Sequence, residues 1–262
     1  MALLKPTRFA DHTSPGGDPH PSWGSNGETV AQVVPAQAMA RLNDVGRKFT
    51  ILVFGDSTGI SSSGWQVLFP KWIGDMTDRP VTVTPWNRDE VRWNASWGIR
   101  LTGAHASVNV WNGSAPARDI AYARAHLEAM TTAVDPADVD LVFVNFGHTE
   151  VEDGFATRCG LFMLDMAAKF PGAAVIYLKQ NPNLSGSPLV VQQRHNVANM
   201  EDNAVRLHFA SVPVYDAFMD QPDTDALLDV PTQVHPNTDG YRLWTSVMVD
   251  TFTPWMPGLT SG

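Results

Sequence analysis

Short apolar runs recur along the chain from residue 49, and helix-compatible segments separate most of them. FTILVF (49–54), VTVTPW (81–86), ASVNVW (106–111), LVFVNF (141–146) and AAVIYLK (173–179) are rich in apolar and β-branched residues, with VRLHF (205–209) a weaker sixth. Near-continuous runs of this length read as strands buried on both faces. Helices are expected near 35–46, over 116–133, 155–170 and 188–204, and finally from Gly240-Tyr241 onward. Strands alternating with helices predict one doubly wound α/β domain with a parallel sheet. The site of such a sheet lies beyond the carboxyl ends of its strands.

Residues 1–30 lack this periodicity and are rich in Pro, Gly, Ser and His, so they read as an extended arm. The chain accordingly divides into an arm with a short helix (1–48) and a catalytic-type domain (49–262). His12 and His20 lie in the arm beside Asp11 and Asp18 without a metal-ligand spacing. They are expected to be solvated loop residues, and no metal site is assigned.

Composition acts mainly by exclusion. With 262 residues, 44% of them hydrophobic and 17% charged, the chain can bury a large core without disulfides or metal. No apolar run reaches the ~18 residues that a membrane span requires. The start, MALLKPTRF, lacks the apolar stretch of a signal peptide, so a cytoplasmic location as synthesised is expected. A net charge of −9 without a Lys/Arg cluster argues against nucleic acid as partner. The single cysteine, Cys159, sits in an apolar helical stretch and reads as a buried, inert thiol.

Two blocks carry chemistry. FGDSTG (54–59) places Ser57 just past the first strand, at the expected entrance of a helix, with Gly55 and Gly59 permitting a tight turn. Backbone N–H groups at such a turn point at an oxyanion formed on a substrate joined to the serine. The block also fits the G-x-S-x-G pattern of a nucleophile elbow, although Ser57 could instead simply cap the helix. Near the other end, VHPN places His235 in a Pro/Asn/Asp-rich loop before the last helix. A serine and a histidine on loops that the sheet brings together are what a hydrolase needs.

In this order the two blocks resemble the SGNH hydrolases, also called the GDSL esterases and lipases. The resemblance spans about 49–245 and implies a flavodoxin-like three-layer α/β/α sandwich with a mostly parallel five- or six-stranded sheet. It implies Ser57 as nucleophile and first oxyanion donor, His235 as general base, and Gly113 in VWNGSAP as second backbone donor. VNFGHTE matches the third block at Gly147, but the family asparagine falls on Thr149. Thr149 either donates through its hydroxyl or opens a capping box, Thr149-Glu150-Val151-Glu152, for the following helix. The family aspartate, three residues before the histidine, is Thr232 here. Asp229, six before His235, is the favoured acid, and a Ser57–His235 dyad is the alternative. His148 is a second candidate base.

The expected activity is that of a serine esterase without cofactor, removing acetyl or other short acyl groups from a carbohydrate. Trp65, Trp86, Trp93, Trp97 and Trp111 lie near the expected strand ends, an aromatic density that suits a sugar carrying a small acyl group and equally a lipid acyl chain. Asp56, Trp65, Trp111 and His148 are the candidate substrate contacts. The alternative is a weakly active or inactive structural or receptor-binding module of a larger assembly, self-associating or docking through the arm. An acidic hydrolase with such an arm resembles virion-associated phage tail proteins.

Overall fold

The computed structural model describes residues 32–150 and 154–256. The arm, with His12 and His20, lies outside the described residues.

The apolar runs form a parallel sheet. Its strands are β1 (Phe49–Gly55), β2 (Val81–Asn87), β5 (Val108–Ser114), β6 (Val139–Asn145), β7 (Ala174–Leu178) and β8 (Ala210–Val212). Two short strands, β3 (Arg92–Trp93) and β4 (Trp97–Arg100), pair antiparallel with β2. The order is β3-β2-β5-β1-β6-β7-β8, so β1 lies between β5 and β6. The chain winds to one side of β1 and then to the other, which makes its carboxyl end the topological switch point.

Every residue of β1 and of β6 is buried, as strands covered on both faces require. Alternate side chains serve opposite layers. Phe49, Ile51 and Val53 join Leu141 and Phe143 in one core, while Leu52 and Phe54 join Val142 and Val144 in the other. The first core also takes residues of α1 (Pro35–Ala40), α2 (Trp65–Thr77), α7 (Val214–Met219) and α8 (Thr238–Phe252). The second takes residues of α3 (Ile120–Ala125), α4 (Leu127–Thr131), α5 (Phe155–Lys169) and α6 (Val190–Arg206). The three-layer α/β/α architecture is therefore present, and its parallel part has six strands. Cys159 is buried among the second set, and burial pushes its thiol pKa well up.

Several local expectations are corrected. The helix expected near 35–46 is α1 followed by a single 3₁₀ turn to Asn43. The segment 116–133 divides into two short helices at His126. VRLHF is not a strand: α6 continues through Arg206, and the strand comes later, at Ala210–Val212. His208, at φ +61°, reverses the chain between them.

Candidate active site

The carboxyl end of β1 carries the nucleophile candidate. Ser57 opens a single 3₁₀ turn (Ser57–Gly59), and the following α-helix does not begin until Trp65. Ser57 is thus neither at an α-helix N-terminus nor a cap. Asp56 is the cap, its Oδ1 accepting from the Thr58 N–H at 3.0 Å and the Thr58 hydroxyl at 2.9 Å. The two glycines matter for space, not for a positive φ. A Cβ on Gly55 would lie 2.8 Å from the Asn145 carbonyl oxygen, and one on Gly59 would collide with Ser114 Oγ.

His235 arrives from the loop before α8. Asn237 N–H donates to Leu227 O at 2.9 Å and Asp229 N–H to His235 O at 2.8 Å, so this loop closes as a small antiparallel ladder. The Asn237 side chain caps α8, accepting from Asp239 and Gly240 N–H. The Asn181 amide holds Val234 O at 2.9 Å. Within this frame His235 Nε2 lies 2.8 Å from Ser57 Oγ. The pair opens into a cavity of about 440 Å³ whose wall includes Ser61, Ser63, Asp229, Asn237 and Thr238.

Asp229 stands directly opposite His235 in the ladder, which puts both side chains on one face. No hydrogen bond joins its carboxylate to the imidazole, and His235 Nδ1 bonds to no protein group among the described residues. Thr232, at the family acid position, accepts from the His235 main-chain N–H at 3.2 Å instead.

The remaining expected residues are distributed differently. Gly113 is inside the sheet, paired with Phe54, while Ala115 N–H already donates to Gly55 O. Gly113 therefore lies below the level of Ser57, and the chain that rises past the site is the loop beyond β5. Ala117 in that loop has φ +54°, an uncommon conformation for a residue with a Cβ. Thr149 donates its hydroxyl to Arg118 O at 2.9 Å, in this loop, and makes no hydrogen bond to Ser57. It does not cap α5 either, because that helix begins at Phe155 behind Gly154 at φ +81°. Glu150 is buried, accepting from Ile120 N–H at 2.7 Å and pairing with Arg158, and burial raises its pKa.

Of the candidate substrate contacts, Asp56 is 0% exposed and belongs to the interior. His148 is also buried, its Nδ1 2.6 Å from Asn183 Oδ1, and desolvation lowers its pKa. It makes no hydrogen bond to Ser57 and is not placed as the base. Trp65 is core, stacked on Trp244 with ring centroids 5.7 Å apart. Trp111 is half-buried, edge-on to Trp93, which in turn meets Trp86. Trp97 is 41% exposed, on β4.

The chain is similar to a lipase/acylhydrolase from Enterococcus faecalis, with 17% identity over 79% of this chain and 95% of that one, at a TM-score of 0.56. It is similar to an acetylxylan esterase from Geobacillus stearothermophilus, with 13% identity over 82% and 99% of the two chains, at 0.57. A member of the lipolytic G-D-S-L family from Veillonella parvula DSM 2008 aligns at 17% identity over 78% and 98%, at 0.51. The chain shares the fold of these three proteins. No family model matches the sequence, and no curated protein matches it. Gln180 and Asn181, just beyond β7, hold the turns that carry Ser57 and His235 and were missed by sequence reasoning. Among the described residues no cluster of three or more His, Cys, Asp or Glu side chains could hold a metal, and no helix is long and apolar enough to cross a membrane.

Proposed function

We propose that this chain is a serine ester hydrolase acting through a Ser57–His235 dyad. The observation that carries the reading is the 2.8 Å contact between His235 Nε2 and Ser57 Oγ, at the switch point of the sheet. Ser57 Oγ bonds to the ester carbonyl carbon while its proton passes to Nε2. The tetrahedral intermediate then expels the alcohol, which takes that proton. Water attacks the acyl-enzyme by the same route in reverse and frees the acid. The Ser57 N–H donates to no protein group among the described residues, which supports its role as an oxyanion donor. Asp229 assists as a charge facing the imidazolium rather than through a ring hydrogen bond.

An acetyl or other short acyl ester of a carbohydrate is the proposed substrate. The hydroxyl and carboxylate groups in a cavity wall that also holds Ile60, Pro236 and Tyr241 support it, as does the likeness to an acetylxylan esterase. The test is hydrolysis of p-nitrophenyl acetate and of acetylated xylo-oligosaccharide by wild type beside Ser57→Ala. Activity on the aryl ester alone would retain the esterase and reject the carbohydrate.

A non-catalytic binding module is the second reading. Thr149 favours it, because its hydroxyl is committed to Arg118 O. Loss of one oxyanion donor lowers comparable hydrolases by ~10²–10³ in rate. Labelling of Ser57 by a fluorophosphonate separates the two readings, since a dead module is not labelled.

A further inference from the structure

Gln180 lies two residues beyond β7 and is 0% exposed. Its Nε2 is 3.0 Å from Asp56 Oδ2, 3.0 Å from Asn145 O and 3.0 Å from Thr58 Oγ1. Its Oε1 accepts from His148 N–H at 2.9 Å. An amide has two N–H bonds to give. Thr58 Oγ1 already accepts from Asn145 Nδ2 at 2.9 Å and donates to Asp56 Oδ1 at 2.9 Å. The Thr58 hydroxyl oxygen keeps a second lone pair, so the two Gln180 protons are shared among Asp56 Oδ2, Asn145 O and Thr58 Oγ1. One side chain from the loop after β7 thus joins the turn after β1 to the end of β6 and the turn that follows it.

The burial of Asp56 makes this bridge consequential. Among the described residues no cation pairs with its carboxylate, and its donors are the Thr58 N–H and hydroxyl and the Gln180 amide. Oδ2 takes its hydrogen bond from Gln180 alone. A buried charge that loses its donor must rotate, admit water or take a proton. Rotation of Asp56 would release the Thr58 N–H, and Asp56 and Thr58 are the two neighbours of Ser57. Gly147 makes room for the amide, since a Cβ there would lie 2.9 Å from Gln180 Oε1.

We infer that Gln180 is a positioning residue for Ser57: by supplying the donor to Asp56 Oδ2, it fixes the turn that sets Ser57 Oγ against His235. This rests on the reading of Ser57 as the nucleophile. Gln180 touches neither Ser57 Oγ nor the cavity wall, so its effect falls on turnover, not on binding.

The test compares wild type with Gln180→Met, which keeps length but has no donor, and Gln180→Glu. Both are checked by thermal melt, then measured for p-nitrophenyl acetate kcat and KM and for the rate of Ser57 labelling by a fluorophosphonate. Gln180→Met is expected to lower kcat and the labelling rate by about 10²-fold, as small misplacements of reacting groups do, with KM unchanged. In Gln180→Glu the new carboxyl faces Asp56, and two such groups share one proton at low pH. The other titratable groups nearby are His235, common to wild type and variant, His148, whose pKa burial lowers, and Tyr177 and Tyr241, whose pKa values burial pushes well up. The deficit of Gln180→Glu relative to wild type should therefore shrink as pH falls from about 8 to about 6, when the shared proton restores a donor. A kcat and labelling rate for Gln180→Met equal to wild type, or a deficit for Gln180→Glu that ignores pH, would overturn the inference. Failure of the wild type to label is a different result: it overturns the nucleophile reading and the inference with it.

Discussion

Asp229 N–H donates to His235 O at 2.8 Å, so the two residues face each other across the loop that delivers the imidazole. Their side chains share a face and a cavity, yet no hydrogen bond joins the carboxylate to the ring. The spacing of six residues is accommodated by a ladder between Leu228 and Pro236, with Gln233 at φ +62° in the turn. The ladder holds Asp229 by its backbone and leaves its carboxylate without a hydrogen bond to the ring.

That relationship predicts the size of a substitution effect. Asp229→Asn should lower kcat about tenfold, equivalent to ~1.4 kcal/mol. Thr232→Ala should do less, since Thr232 accepts only from the His235 main chain. A full triad loses ~10⁴ in kcat when its acid is neutralised. A loss of that size in Asp229→Asn, with folding intact, would show the carboxylate on Nδ1 during reaction and end the dyad.

The buried His148 predicts a pH dependence of stability. Desolvation lowers its folded pKa below the unfolded value of about 6.5, so the unfolded chain binds the proton more readily. Its contribution to stability is present above that value and is lost as pH falls from it toward the folded pKa. Asp140 and Glu150, raised by burial, act with the opposite sign in the carboxylate range: their contribution is present at low pH and lost as pH rises through their folded pKa values. Melting temperatures of wild type and His148→Gln, compared between pH 7 and pH 5, isolate the histidine. Wild type should lose stability on acidification relative to the variant, and parallel curves would contradict this.

The tryptophans separate by stability. Trp65 is 1% exposed, between Trp244 and Phe143, and Trp65→Ala should cost about 3–5 kcal/mol in urea unfolding. Trp97 is exposed on an edge strand, and Trp97→Ala should change stability by no more than about 0.5 kcal/mol. Similar losses for the two would mean that β4 is part of the core.

Gly59 is predicted to resist a side chain even though its φ is ordinary. A methyl group there meets Ser114 Oγ and approaches the Asn145 side chain. Gly59→Ala should cost about 1–3 kcal/mol by overpacking. It should also lower esterase turnover, because the displaced turn carries Ser57. Wild-type stability together with wild-type kcat would show that the turn has slack.

Strands buried on both faces leave a plain signal, and β1, β2, β5, β6 and β7 could be read from their apolar runs. β3 and β4 could not, because Arg92–Trp93 and Trp97–Arg100 become strands only by pairing with β2. VRLHF misled because its β-branched and aromatic residues span a helix end and a turn. At the site, the blocks around Ser57 and His235 were legible because turn chemistry is local. The level of Gly113 in the sheet could not be read, because it depends on register with β1, which no single segment contains. Gln180 and Asn181 were invisible for a similar reason: an amide has a role only through its partners, and these come from β1, β6 and the His235 loop.

The central claim is that Ser57 Oγ, activated by His235, is the group that attacks the ester. The most direct test is the initial rate of p-nitrophenyl acetate hydrolysis by wild type and by Ser57→Ala, with matching circular dichroism spectra. The account predicts measurable wild-type turnover and a fall of at least ~10² in Ser57→Ala, leaving only what binding and oxyanion donors supply. Equal rates for the two proteins would contradict it.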